Sequence, residues 1–222
     1  MDCRDLSDSS WVMIVIGYRG KRLLDILLVC LTTPVWIPVL GMLAGLVRYQ
    51  LGSPVFFRQL RPGLHGHLFW LLKFRTMTDA RDNSGAVLPD SARLTGFGSW
   101  LRSTSLDELP ELLNVLRGEM SLVGPRPLLP QYLPRYSLKH RGRHNVRPGI
   151  TGLAQVSGRN ALSWPARLDL DIEYVNHCTL RWDVIILART VKTVFSRSGI
   201  SSDGSATMSE FLGYTTEVRA DQ

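Results

Sequence analysis

The chain of 222 residues has little cysteine, and what it has is poorly placed for structure. Cys3, Cys30 and Cys178 are far apart, odd in number and form no Cys-x-x-Cys spacing, which speaks against a disulfide scaffold and a thiolate zinc site and for a reducing compartment. His65 and His67 are the one close histidine pair and have no cysteine nearby, so they read as loop or strand residues. Internal repeats and low-complexity tracts are absent, which argues against a solenoid and against wholesale disorder. Lysine is almost missing: Lys21, Lys73, Lys139 and Lys192 are the only ones, so a net charge of +7 rests on arginine. A planar, permanently charged fork suits phosphate, and the partner is expected to be anionic. At 45% hydrophobic and 20% charged residues the chain is neither disordered nor polytopic, and its length allows one sizeable domain.

The longest absence is of charge. From Ile26 to Val47 no residue is charged, a run of 22 residues, long enough to cross a bilayer. It follows a polar, acidic start (MDCRDLSDSS) and is too long and too far in for a cleavable signal. Pro34 and Pro38 interrupt it, and basic residues flank both ends: Arg19, Lys21 and Arg22 before, Arg48 and Arg58 after. Positive flanks on both sides conflict with a span and fit a segment that dips into the membrane and returns. A helix, a break at Thr33-Pro34 and a second helix are therefore expected, with the hydroxyls of Thr32 and Thr33 satisfying carbonyls freed at the break. The chain divides into an N-terminal segment (1–20), the re-entrant helix (21–48), a catalytic domain (49–199) and a tail (200–222) that packs on that domain or frays.

Residues 54–59 and 68–75 are rich in aromatic and β-favouring side chains and are separated by Arg61-Pro-Gly63 and Gly66, which predicts a hairpin. Lys73 and Arg75 share one face of its second strand, Leu72 and Phe74 the other. Residues 79–93 read as a loop and 98–102 as a helix. Ser105-Leu-Asp-Glu108 fits a capping box, although Pro110 distorts the first turn or moves the true helix start; Leu109, Leu112, Leu113 and Leu116 continue with helical spacing until Gly118. Leu168, Ile172 and Val175 share one helix face, and Val184, Leu187, Ala188, Val191 and Val194 another. The fold class expected is α+β and predominantly helical, with the re-entrant segment, the hairpin and interfacial amphipathic helices.

Three clusters remain: Arg102-Ser-Thr-Ser-Leu-Asp-Glu-Leu-Pro110, Ser121-Leu-Val-Gly-Pro-Arg-Pro127, and the glycine-rich run from Arg147 to Asn160. Taken alone, Asp107-Glu108 reads as an ordinary helix start and the glycines as a tight loop. In this order, and preceded by Lys73-Phe-Arg-Thr-Met77, the clusters closely resemble the bacterial sugar transferase family of monotopic phosphoglycosyl transferases, in its minimal form, from about Lys21 to Gly213.

The resemblance implies transfer of a sugar 1-phosphate from a UDP-sugar to polyprenyl (undecaprenyl) phosphate, with release of UMP, at the cytoplasmic face of the bacterial inner membrane. It also implies Asp107 as nucleophile, Glu108 as ligand of Mg²⁺, and the Gln155, Arg159 and Asn160 region near nucleotide or sugar. Arg126, held between two prolines, is the expected phosphate clamp, with Arg102, Lys73 and Arg75 in support. Thr33-Pro34 departs from the family's usual Ser-Pro at the break but keeps the hydroxyl.

The tail from Ser198 to Gly213 most resembles enzymes transferring phospho-N,N′-diacetylbacillosamine, with galactose, glucose and N-acetylgalactosamine as alternatives. The basic block Arg135–Arg147 has Tyr136 as its single ring, so membrane lipid headgroups fit it better than nucleic acid. A non-enzymatic basic membrane-binding protein and a direct glycosyltransferase are the rival readings. The first leaves Asp107, Glu108 and the Pro-Arg-Pro turn idle; the second would release a nucleoside diphosphate.

Overall fold

A computed structural model describes residues 17–158, 162–196 and 210–213. In chain order the elements are α1 (Lys21–Leu31), α2 (Thr33–Leu51), β1 (Phe56–Pro62), β2 (Leu68–Phe74), α3 (Asp90–Arg93), α4 (Gly96–Ser103), α5 (Glu111–Arg117), β3 (Ser121–Val123), α6 (Leu138–Arg141), β4 (Gly149–Thr151), α7 (Leu153–Ser157), α8 (Trp164–Asn176) and α9 (Leu180–Ser196), joined in places by single 3-10 turns.

The charge-free run forms two helices, α1 and α2; of its two prolines only Pro34 lies at the break, and Pro38, expected to interrupt the run as well, sits inside α2 without ending it. Pro34 falls in the first turn of α2, where a missing N–H breaks no helical bond, and the break itself lies one step earlier than expected, at Thr32. The freed carbonyls are met as anticipated: the Thr32 hydroxyl donates to Leu28 O at 2.8 Å and the Thr33 hydroxyl to Val29 O at 3.0 Å. Trp36 Nε1 adds a third donor on Val29 O at 3.0 Å. One side of the pair is buried through Val29, Trp36, Leu43 and Val47, while Leu27, Leu31, Val35 and Met42 are exposed. On either side of the break Leu31 is 76% and Val35 69% exposed, so apolar side chains face outward where the two helices meet.

Polar contacts fix the start of this segment. The Asp25 carboxylate, almost fully buried, accepts from Ser121 Oγ at 2.7 Å and Leu122 N at 3.2 Å, and the Arg22 guanidinium donates to the carbonyls of Val115 and Leu116 in the last turn of α5. Lys21 and Tyr18 both donate to Asp183 of α9. Two of the flanking cations thus serve internal contacts.

The hairpin forms as predicted, antiparallel with Gln59 opposite Leu71 and Phe57 opposite Lys73. Its faces are covered unequally, since Leu68 and Trp70, on the face of Phe74, stay exposed. Phe69 and Leu71 pack with Val29, Trp36, Val115 and Met120, and Phe74 packs with Leu43, Val47 and Leu101. Asn114 of α5, fully buried, clamps the free edge of β2: its amide donates to Trp70 O at 2.8 Å and its carbonyl accepts from Leu72 N at 3.1 Å. Lys73, on the face shared with Phe69 and Leu71, is thereby held against the start of α5. The segment 79–93, read as a loop, is flanked by an isolated bridge of Met77 with Leu94 and carries another, Arg81 with Val87, and the short helix α3.

One feature escaped the periodicity: β3 and β4 form a short parallel pair. Each is three residues long, too short for an alternating pattern to register. Its geometry needs glycine, because a Cβ on Gly149 would lie 2.1 Å from Gly124 N and 2.4 Å from Thr151 O, both immovable backbone atoms. Beyond it, α7, α8 and α9 close a core of Val123, Val146, Leu153, Tyr174, Val175 and Ile186. In the described part of the tail Phe211 is buried against Tyr132, Tyr136 and Trp164, and Arg135 pairs with Glu210 at 2.8 Å.

Two glycines make opposite predictions. Gly149→Ala forces backbone apart and should cost about 3 kcal/mol or more, whereas Gly45 in α2 is exposed with open space around its Cα. Gly45→Ala should stabilise by about 0.5–1 kcal/mol through helix propensity. Thermal unfolding of the three proteins in the same detergent micelle measures both.

Candidate active site

The segment carrying the paired acids is irregular, and proline is the reason. Pro110 has no N–H to continue a helix from Leu106, so Leu106–Glu108 form a single 3-10 turn and α5 begins only after Pro110, which occupies its N-cap. The expected capping box does not form. Ser105 takes a left-handed backbone conformation, φ 57°, and its side chain caps nothing. A serine there is uncommon and costs of order 1 kcal/mol, a strain that the surrounding contacts must hold.

Glu108 is the meeting point of three segments. Its Oε1 accepts from Lys73 Nζ of β2 at 2.6 Å and from Arg126 of the Gly-Pro-Arg-Pro turn at 2.5 Å. Lys73 also lies 3.2 Å from Glu111, which is buried in the first turn of α5. Burial alone would raise the Glu108 carboxyl, but Arg126 and Lys73 outweigh it and hold the group ionised, well below the usual carboxylate range. Glu111 goes the other way: burial and the charge of Glu108 push it up to about 7 against the pull of Lys73. Asp107, 9% exposed on the same turn, makes no hydrogen bond or ion pair among the described residues. Burial and the neighbouring Glu108 raise it to about 6, so near neutral pH it is mostly ionised and more basic than a free aspartate.

Arg126 is aimed by its backbone. The carbonyls of Pro125, Arg126 and Pro127 are each taken from within the protein: by Gly149 N at 3.1 Å, Arg143 at 2.7 Å and Arg61 at 3.3 Å. Arg143 is itself held by the carboxylate of Asp171 in α8, through Nε at 3.0 Å and a terminal nitrogen at 2.7 Å, with both residues almost fully buried.

Sequence reasoning missed Glu111, Arg143 and Asp171. Asp171 left a signal, since it lies on the α8 face defined by Leu168, Ile172 and Val175, and a carboxyl on a buried face needs a partner. The basic block supplied it, which corrects the lipid-facing expectation for much of residues 135–147. Arg143, His140 and His144 are buried, Arg135 pairs with Glu210, and Lys139 pairs with Asp169.

Glu108, Arg102, Arg126, Arg167 and Gln155 line a cleft of about 430 Å³ with apolar walls from Leu109, Leu112, Leu128 and Ile150. Arg102 is steadied by Thr76 Oγ1 at 3.0 Å. Lys73 joins the site from behind Glu108. Arg75 does not join it, because its guanidinium is engaged by Ser53 O at 2.9 Å and Asp79 at 3.0 Å. It lies one residue past the end of β2, where alternation no longer fixes its direction. Arg159 and Asn160 lie outside the described residues. Thr33 and Pro34 belong to the apolar segment.

Among the described residues no three His, Cys, Asp or Glu side chains are grouped as a metal cage. A divalent ion at this site would need substrate oxygens beside Glu108, which is how Mg²⁺ is commonly held at phosphate sites.

The chain matches the family profile described as bacterial sugar transferase over residues 16–197. It is 51% identical over 197 residues to the sugar transferase EpsL of Bacillus subtilis, covering 87% of this chain and 96% of that one. It is 39% identical over 196 residues to the exopolysaccharide production protein ExoY of Sinorhizobium fredii, covering 81% and 87%. A UDP-glucose:undecaprenyl-phosphate glucose-1-phosphate transferase of Caulobacter vibrioides is 40% identical over 187 residues, covering 79% and 70%. The profile match over most of the length and the similarity to these relatives agree: the chain belongs to the bacterial sugar transferase family.

Proposed function

We propose that this protein moves a sugar 1-phosphate from a UDP-sugar to undecaprenyl phosphate through a covalent intermediate on Asp107. The observation that carries the reading is the contrast within one turn. Glu108 is neutralised by Lys73 and Arg126, while Asp107 beside it is ionisable, unpaired and raised in basicity.

In the first step an Asp107 carboxylate oxygen bonds to the phosphorus bearing the sugar, and the bond from that phosphorus to the bridging oxygen breaks, releasing UMP. In the second, a phosphate oxygen of undecaprenyl phosphate attacks the same phosphorus and restores the free carboxylate, leaving undecaprenyl diphosphosugar. An anion attacking an anion needs its surroundings positive. Arg126 and Arg102 in the cleft supply fixed charge for the diphosphate, and Lys73 keeps Glu108 ionised. Mg²⁺, held by Glu108 and diphosphate oxygens, would supply further neutralisation of the leaving phosphate.

The acceptor explains the apolar segment. Among the described residues one helix, Thr33–Leu51, is long and apolar enough to cross a membrane, with only 17% of its apolar window buried. Yet α1 packs on β3 and α5 through Asp25 and Arg22, and α2 packs on β2 and α4 through Leu43 and Val47, so both helices stay with one domain. That favours a segment that enters and leaves the cytoplasmic membrane on the same face, with the chemistry at the cytoplasmic surface. Relatives named for UDP-glucose and for galactose transfer make those two hexoses the leading donors; the diacetylbacillosamine expectation rests on residues mostly outside the described tail.

Purified protein with Mg²⁺ and undecaprenyl phosphate should release UMP from at least one of UDP-glucose, UDP-galactose, UDP-N-acetylgalactosamine and UDP-N,N′-diacetylbacillosamine. Asp107→Asn should reduce that release by about 10³-fold or more, and UDP as the product would instead indicate direct glycosyl transfer. Because ionised Asp107 is the reactive form and its pKa is raised to about 6, kcat should fall about tenfold per pH unit below that value and level off above it, as a pH–rate profile would record.

A further inference from the structure

One arginine of the cleft gives its Nε and Nη2 donors to the protein itself. Arg143 lines the cleft with Nε–H and one Nη2–H given to Asp171 Oδ2 and the other Nη2–H to Arg126 O, while Nη1 makes only a weak contact to Tyr136 Oη at 3.5 Å. The guanidinium also sits over the Tyr136 ring, 5.6 Å from its centroid. Only Nη1 is left to offer a phosphate.

An ion pair buried this deeply is a weak source of stability, because desolvating two charges consumes most of what their attraction returns. Apolar side chains of similar volume would fill the space as well. What they could not do is donate to the carbonyl of Arg126, the residue whose side chain reaches Glu108 from the opposite direction. The neighbouring carbonyls of Pro125 and Pro127 have their own donors in Gly149 and Arg61, so Arg143 is the contact specific to the residue that faces the substrate.

From this geometry we infer that Arg143 and Asp171 are positioning residues, which act on the transfer reaction only through the aim of Arg126. Asp171 on α8 orients the guanidinium, and the guanidinium holds the Arg126 peptide in the rotation that sends its side chain across to Glu108. The inference rests on the phosphoryl-transfer reading of the cleft and refines it.

The test is a double-mutant cycle on UMP release, run beside calorimetric binding of UDP. The apolar pair Arg143→Met with Asp171→Leu should melt within a few degrees of wild type and lose about tenfold or more in kcat/KM. In an Arg126→Ala background the same pair should cost less than about twofold, because the residue it serves is gone. Should the apolar pair fail to fold, Asp171→Asn, which keeps the shape and removes the charge, is put through the same cycle and should show the same loss and the same non-additivity.

Wild-type activity in either variant, or a full further loss in the Arg126→Ala background, would overturn the inference. If wild type releases no UMP from any donor, the functional reading fails by itself. The UDP affinities then decide the positioning role: the share lost on Arg126→Ala should already be lost in the Arg143 and Asp171 variants.

Discussion

A carboxylate taken out of water must be met by cations, and at Glu108 that requirement organises the middle of the chain. Lys73 comes from the hairpin and Arg126 from a proline-bounded turn, 35 and 18 residues away in sequence, and both end on the same oxygen. Each is delivered by machinery of its own: Asn114 clamps β2 so that Lys73 reaches α5, and three internal donors fix the turn that carries Arg126. Losing either cation would leave a buried anion partly unpaired, a heavier penalty than losing a surface contact.

Asp107 profits from this arrangement without taking part in it. It sits one residue from a fully compensated carboxylate, in the same low-dielectric setting, yet no cation is bonded to it among the described residues. Two adjacent acids therefore differ in kind. One is held ionised as a fixed element of the electrostatic frame, and the other has no bonded cation among the described residues, with its basicity raised by burial and by its neighbour. The irregular turn makes the division possible. A regular first turn would offer its backbone N–H groups to both carboxylates, whereas Pro110 and left-handed Ser105 remove that option.

Much of the frame was legible in the sequence. Pro34 and the threonines of the charge-free run specified a broken helix with hydroxyl-capped carbonyls, because hydrogen-bond bookkeeping at a proline is local. The hairpin, α5 with its glycine stop, α8 and α9 followed from periodicity. What failed depended on partners that periodicity does not register, some near in the chain and some distant. The capping box at Ser105 gave way to Pro110, Arg75 was drawn off by Ser53 and Asp79, and the basic block turned inward to meet Asp171 and Glu210. The β3 and β4 pair was too short for any periodic signal. As for the site, local features of Asp107 and Glu108 amount to an ordinary helix start. Their significance came from the order of the surrounding motifs, and the structure adds that those motifs converge.

The proposed function joins the apolar helices and the cleft in one design, a domain for a water-soluble diphosphate kept at the surface where a lipid phosphate resides. The central claim is that Asp107 carries the phosphosugar between the two. Rapid-quench intact-protein mass spectrometry, with the competent UDP-sugar and no lipid acceptor, addresses it directly. The account predicts a mass increase of one phosphosugar on wild type, mapped to Asp107, absent from Asp107→Asn and discharged on adding undecaprenyl phosphate. UMP release at full rate with no adduct at any quench time, and only when acceptor is present, would contradict it.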